Sequence, residues 1–211
     1  MSDFFGLKLF LAFIVCSLFL SETHSQIVSG NAFLKGNFVE VGLGPCGAFA
    51  STVAAPAGYH PRGSGGSSSS NQLGFVADPA QDGWTMGNPN YVGDYFLPGT
   101  PEEGWGMSIN GTNYNNNLIC GTNEIPGSII SYNTSSAEVS ATWQGSVGGL
   151  SITSRTYIPI NSVYFVTEVT ILNTSAADIS NVYYMRNVDP DQGQSTPSAG
   201  AFQTTNSVVF Q

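Results

Sequence analysis

Carboxylates are the groups in this 211-residue chain best placed by type and spacing to do chemistry. Asp78 and Asp82 in DPAQDG, and Asp189 and Asp191 in DPDQG, each put two acids beside a glycine turn, and clustered oxygens are what a hard cation such as calcium takes. Neither run supplies the further ligands of a complete calcium loop. Each pair therefore reads either as a calcium site or as Asx turns that cap a loop. Paired acids also cleave glycosidic bonds when they stand about 5–9 Å apart, which brings in Glu102, Glu103, Asp189 and Asp191. Adjacent Glu102 and Glu103 would point to opposite faces of a strand, so they cannot flank one bond. His60, in GYHPR, is the single histidine after residue 25 and reads as a loop residue, because no nucleophile is assigned to it by sequence. No G-x-S-x-G, HExxH, CxxC or phosphate-binding glycine loop is present. The chain reads as non-catalytic.

Aromatic residues offer a different chemistry. DGWTM at 82–86 and EGWGM at 103–107 repeat the pattern acid-Gly-Trp-x-Met, and NGTNYNNN at 110–117 adds amides and a tyrosine. Indoles beside amides and acids grip sugars by stacking on the apolar face of the ring while polar groups bond its hydroxyls. Trp84, Trp105 and Tyr114 are thus candidate carbohydrate contacts. The alternative is that both tryptophans anchor long loops to the core. Sequons at Asn110, Asn133 and Asn173 would be acceptors only in a eukaryotic secretory pathway, so they do not separate these readings.

The elements that must position these groups read as strands. No segment after residue 25 repeats apolar residues at helical spacing for three turns, and alternation broken by Gly, Pro, Asn and Ser dominates. Residues 137–144 place Ala137, Val139, Ala141 and Trp143 on one face, as a half-buried strand requires. A second strand over 150–158 follows the Gly148-Gly149 turn, and a third over 163–172 is apolar on both faces, which predicts a central position in its sheet. A fourth covers 179–188. In the first half, 38–41 is a short strand and 105–114 holds Asn110-Gly111, the pair best suited to a tight hairpin turn. Long irregular loops fill the rest of that half, with a surface loop over 62–71 (RGSGGSSSSN). Strands at roughly ten-residue intervals without helices predict an all-β, antiparallel β-sandwich, with a closed barrel as the alternative. Residues 204–211 read as a strand with no turn after it, as in a fragment of a longer chain with an unpaired sheet edge.

Residues 9–20 (LFLAFIVCSLFL) are an apolar run behind Lys8, and the small residues Thr23 and Ser25 suit cleavage before Gln26, so 1–25 reads as a signal peptide. Twelve helical residues span only about 18 Å, too short for a bilayer core of about 30 Å. Val15 before Cys16 argues against lipidation. Residues 26–211 are then one extracellular domain holding Cys46 and Cys120, either bridged or buried as thiols. A bridge would close a loop of about 75 residues and contribute about 4 kcal/mol. Five basic against fourteen acidic residues, net charge −9, exclude nucleic acid and anionic lipid as natural partners.

Four stretches together resemble a known group. Residues 31–47 (NAFLKGNFVEVGLGPCG), 55–63 (APAGYHPRG), 72–104 (with LGFVADP, DGWTMG and YVGDYFLPGTPEEGW) and 182–192 (VYYMRNVDPDQ) are similar to the N-terminal region of large secreted, adhesin-like bacterial surface proteins of the type IX secretion cargo kind. The resemblance implies export, a β-sandwich module and a cell-surface or extracellular role, with no activity attached. A C-terminal sorting domain, which that group carries, is not found in these residues. The reading is a secreted attachment or scaffolding module whose partners are glycans or cell-surface components. The alternative is a carbohydrate-binding module or a piece of a polysaccharide-degrading enzyme.

Overall fold

The computed structural model describes residues 26–61, 71–85, 90–91, 93–96 and 103–188. Within them the chain is all-β, with no helix and three antiparallel four-stranded sheets. The first sheet is β1 (Ile27–Val28), β2 (Asn31–Lys35), β3 (Val39–Leu43) and β4 (Phe75–Ala77), in that order. A second set comprises β5 (Gly104–Ile109), β6 (Thr112–Asn117) and β7 (Thr122–Asn123), followed along the chain by β8 (Gly127–Thr134), β9 (Glu138–Val147), β10 (Leu150–Pro159), β11 (Val166–Asn173) and β12 (Val182–Asn187). The second sheet has the order β11-β10-β9-β8 and the third the order β12-β5-β6-β7.

Alternation makes the sandwich. Val139, Ala141 and Trp143 of β9 and Leu150, Ile152 and Ile158 of β10 share one buried face of the second sheet. Its Ile158 end packs on Ala32, Leu34, Val39, Val41 and Leu43 of the first sheet. Its Leu150 end packs on Trp105, Met107 and Ile109 of the third. One long sheet thus backs two shorter ones. The first sheet is covered on its other side as well, where Phe33, Leu73, Val76 and Tyr91 pack with Tyr59 and Trp84 from the long loops.

The 110–111 hairpin is confirmed in detail: Asn110 and Gly111 take φ of 50° and 84°, and Ile109 pairs with Thr112. Gly148 and Gly149 likewise turn β9 into β10 with positive φ. The strand expected at 163–172 is real but misplaced by the sequence reading. It begins at Val166 and lies at the edge of its sheet, paired with β10 alone. Val163, Tyr164 and Leu172, expected to be interior, are 40%, 55% and 61% exposed, because apolar character on two faces does not supply a neighbour to cover both. The 62–70 loop, the leader at 1–25 and the strand at 204–211 lie outside the described residues. No helix among the described residues is long and apolar enough to cross a membrane.

Candidate functional site

The outer face of the third sheet carries a groove of about 300 Å³ lined by Gly106, Met107, Ser108, Asn113, Asn115, Tyr183 and Met185. Strand alternation explains it. On β5, Trp105, Met107 and Ile109 point into the core, so Gly104, Gly106 and Ser108 face outward and leave a low floor. Neighbouring strands raise the walls. Tyr183 stands beside Ser108, Met185 beside Gly106 and Asn187 beside Gly104 on the β12 side. On the β6 side Asn113 stands beside Ser108 and Asn115 beside Gly106, while Asn117 leans over Gly104. A Cβ on Gly104 would lie 2.6 Å from Asn117 Cα and 2.7 Å from Asn116 O, and one on Gly106 would lie 2.8 Å from Tyr114 O, all backbone atoms. Positions 104 and 106 of the floor therefore have to be glycine. Tyr183 and Met185 are 66% and 60% exposed, an apolar wall facing an amide wall. Among the described residues no Lys, Arg, Asp or Glu lines the groove, although Glu124 holds Asn115 from outside through the Asn115 backbone N–H at 2.7 Å and its side-chain amide at 3.3 Å.

The loop between β3 and its return to the first sheet fixes this face to the rest of the molecule. Residues 46–50 are buried, so their backbone groups need partners inside the protein. Side chains from four strands supply them. Trp143 Nε1 donates to Pro45 O at 2.9 Å, and Trp105 Nε1 and Asn116 Nδ2 donate to Cys46 O at 3.1 and 2.9 Å. Arg186 of β12 donates to Gly47 O at 3.3 Å, and the Phe49 N–H donates to Glu103. Cys46 and Cys120 form a disulfide, with Cα atoms 5.5 Å apart, which resolves the two options in favour of the bridge.

Glu103 is the buried charge of this region. Arg186 Nε donates to its Oε1 at 2.8 Å while the Arg186 guanidinium lies 3.8 Å from the Phe49 ring centre. Burial pushes the Glu103 carboxyl above the usual carboxylate range, against the opposing pull of Arg186 and the Phe49 N–H. Both of its oxygens are thus engaged. Among the described residues every Lys and Arg is paired with glutamate: Lys35 with Glu40, Arg155 with Glu138 and Glu168, and Arg186 with Glu103.

The three aromatic candidates have separate fates. Trp105 is 2% exposed and packs edge-on against Trp143, so it offers no face to a sugar; its place on an inward strand position overrides the motif it shares with Trp84. Tyr114 is half-buried on the inner side of β6, against the same core, while its neighbours Asn113 and Asn115 face the groove. Trp84 lies on a loop, stacked on His60 with ring centres 4.6 Å apart and met edge-on by Tyr91. That stacking belongs to a cluster the sequence did not reveal. Glu40, fully buried on the outer face of β3, binds His60 Nδ1 at 2.8 Å, the His60 N–H at 2.7 Å and Lys35 Nζ at 3.0 Å. Only the Lys35–Glu40 pairing across β2 and β3 follows from hairpin register.

Of the acid pairs, Asp78 is buried and accepts the N–H groups of Asp82 and Gly83 at 3.3 and 2.8 Å, which is the Asx-type closure of a loop. Asp82 is exposed. Asp189 and Asp191 lie outside the described residues, as does Glu102. No group of three or more His, Cys, Asp or Glu that could hold a metal occurs among the described residues. The groove itself was half legible, since the amide run 110–117 was recognised but Tyr183 and Met185 were not. Their pairing with β5 joins segments about 75 residues apart, which no local pattern signals. The chain matches no protein-family model, no curated protein and no solved structure.

Proposed function

We propose that this chain is a non-catalytic, extracellular β-sandwich module that attaches to glycan through the outer groove of its third sheet. One observation carries the reading: an exposed Tyr183 and Met185 face the amides of Asn113 and Asn115 across a glycine floor. An apolar wall takes the C–H face of a sugar ring, and amides and the Ser108 hydroxyl take its hydroxyls. The disulfide supports a location outside a reducing cytosol. Among the described residues the buried acids Glu40, Asp78, Asp94 and Glu103 are all engaged by partners of the fold, consistent with binding rather than bond cleavage.

The test is retention of the folded chain by neutral polysaccharides in native affinity gels. Tyr183→Ala should weaken retention about tenfold and leave the melting temperature unchanged, because the side chain is mostly in solvent. Release of reducing sugar should not accompany binding. If wild type and Tyr183→Ala run identically on every glycan, the groove is not the attachment surface. A module that only scaffolds would show no retention at all.

A further inference from the structure

Two hairpin turns join the strands of the third sheet in succession, and they are built from opposite kinds of residue. Asn110-Gly111, between β5 and β6, is a pair that takes positive φ readily. Leu118-Ile119-Cys120, between β6 and β7, takes φ of 55°, 49° and 61°, and the Gly121 N–H donates to Leu118 O at 2.8 Å. None of these three side chains suits that conformation. It crowds Cβ against the following carbonyl oxygen, and for the β-branched Ile119 it is a marked departure. Such a backbone persists only where its surroundings hold it. The base of the hairpin is held by Asn116, whose side chain donates to Ile125 O and accepts the Ile125 N–H, both at 2.9 Å. Its apex is held by the bridge from Cys120 to Cys46. A Cβ on Gly44 would lie 2.8 Å from Cys120 Sγ, so a glycine gives that sulfur its seat. Between apex and base β7 adds only the register pairs Asn116 with Asn123 and Asn117 with Thr122.

We propose that the Cys46–Cys120 bridge is a redox latch: an external dithiol opens it, the 118–120 turn unwinds, and the hold of Glu124 on Asn115 loosens while the two cores stay folded. The two ends of the bridge differ in the way this needs. Cys46 is 1% exposed, and its carbonyl keeps Trp105 Nε1 and Asn116 Nδ2 whether or not the sulfur is bridged. Cys120 is partly exposed, beside a Leu118 that is 48% exposed. A thiolate of the dithiol attacks Cys120 Sγ, forming a mixed disulfide and expelling the Cys46 thiolate, which takes up a proton. The second thiol of the dithiol then displaces Cys120, leaving two protein thiols and the dithiol oxidised to its own disulfide. Unwinding stops at Ile125, which is fully buried and clamped by Asn116. Glu124 stands just inside that limit. It accepts the N–H and side-chain amide of Asn115 and donates its own N–H to Asn115 O at 2.9 Å. Asn115 belongs to the amide wall of the groove, so the latch bears on that wall whatever ligand the groove takes.

The probe is a series of ratios of reduced to oxidised dithiothreitol applied to the folded chain, read by peptide mapping of alkylated Cys46 and Cys120 and by amide hydrogen exchange. Reduction should speed exchange at 117–124 and at Asn115 while β9 and β10 keep their protection. Leu118→Asn and Ile119→Asn should each raise the ratio needed for half-opening about tenfold, because asparagine tolerates the left-handed region and the closed turn then holds less strain to release. The double variant Cys46→Ala, Cys120→Ala should show the reduced pattern of exchange with no dithiol present. A bridge that opens only as protection is lost throughout β9 and β10 is a staple of the whole fold, and that result overturns the proposal, in the reduced wild type or in the double variant alike. Reduction that leaves 117–124 or Asn115 as protected as before overturns it too. So do asparagine variants that open at the wild-type ratio, since the strained turn would then not be what the bridge restrains.

Discussion

Trp143→Ala is expected to destabilise the fold by about 3–5 kcal/mol, lowering Tm by on the order of 10 °C for a domain of this size. Trp143 is fully buried, and its ring is the hub between the second and third sheets, edge-on to Trp105 and bonded through Nε1 to Pro45 O. Three glycines make room for it. A Cβ on Gly145, Gly127 or Gly47 would lie 2.3, 2.2 or 2.9 Å from its ring atoms. Gly145→Ala should therefore destabilise on its own by overpacking. In the Trp143→Ala background the same change should cost less, since the ring it strikes is gone. Relief will be partial, because Pro126 O also stands 2.5 Å from that Cβ. Thermal melts of the two single variants and the double variant read the coupling. Strictly additive losses would refute the account of these glycines as a seat for the indole.

That seat also shows where reading from sequence stops. Trp143 was placed correctly on the apolar face of its strand, because alternation along 137–144 reports which side is buried. Gly145 and Gly127 were silent, since a glycine in a strand says only that something comes close and never what. The same limit governs the two acid-Gly-Trp-x-Met motifs. Trp105 falls on an inward position of β5 and Trp84 on a loop against His60, so one local pattern leads to two surroundings. Turn chemistry was the most legible feature, as Asn110-Gly111 and Gly148-Gly149 carry their conformations with them. Edges were the least. β11 looked central because its side chains are apolar on both faces, but only the pairing of distant strands decides who has a neighbour. The groove follows this rule too: its amide wall is one contiguous run, and its apolar wall arrives from β12 through a pairing that only the fold establishes.

The ion pair that ties β12 down provides the most demanding test, because it links stability, pH and binding. Arg186→Met leaves Glu103 buried with the Phe49 N–H but without its cation, at a cost of about 3–5 kcal/mol at neutral pH. The pH dependence has a definite sign. A carboxyl that titrates higher in the folded state than in the unfolded one holds more protons when folded, so its contribution to stability is fullest at low pH and is lost as pH rises through its folded-state titration. Removing Arg186 takes away a pull that lowers that titration, which extends the interval upward. Urea melts across the range should show the Arg186→Met deficit growing from mildly acidic to neutral buffer. Glu103→Gln added to Arg186→Met should restore much of the stability and flatten the profile, because the uncompensated charge is gone. Glycan retention should follow the same course, since Arg186 lies on the strand that carries Tyr183 and Met185 and bonds it to Gly47 O. A deficit equal at every pH would mean that Glu103 is not the group left stranded, and β12 would then be held by packing on Trp105 and the core rather than by its charge.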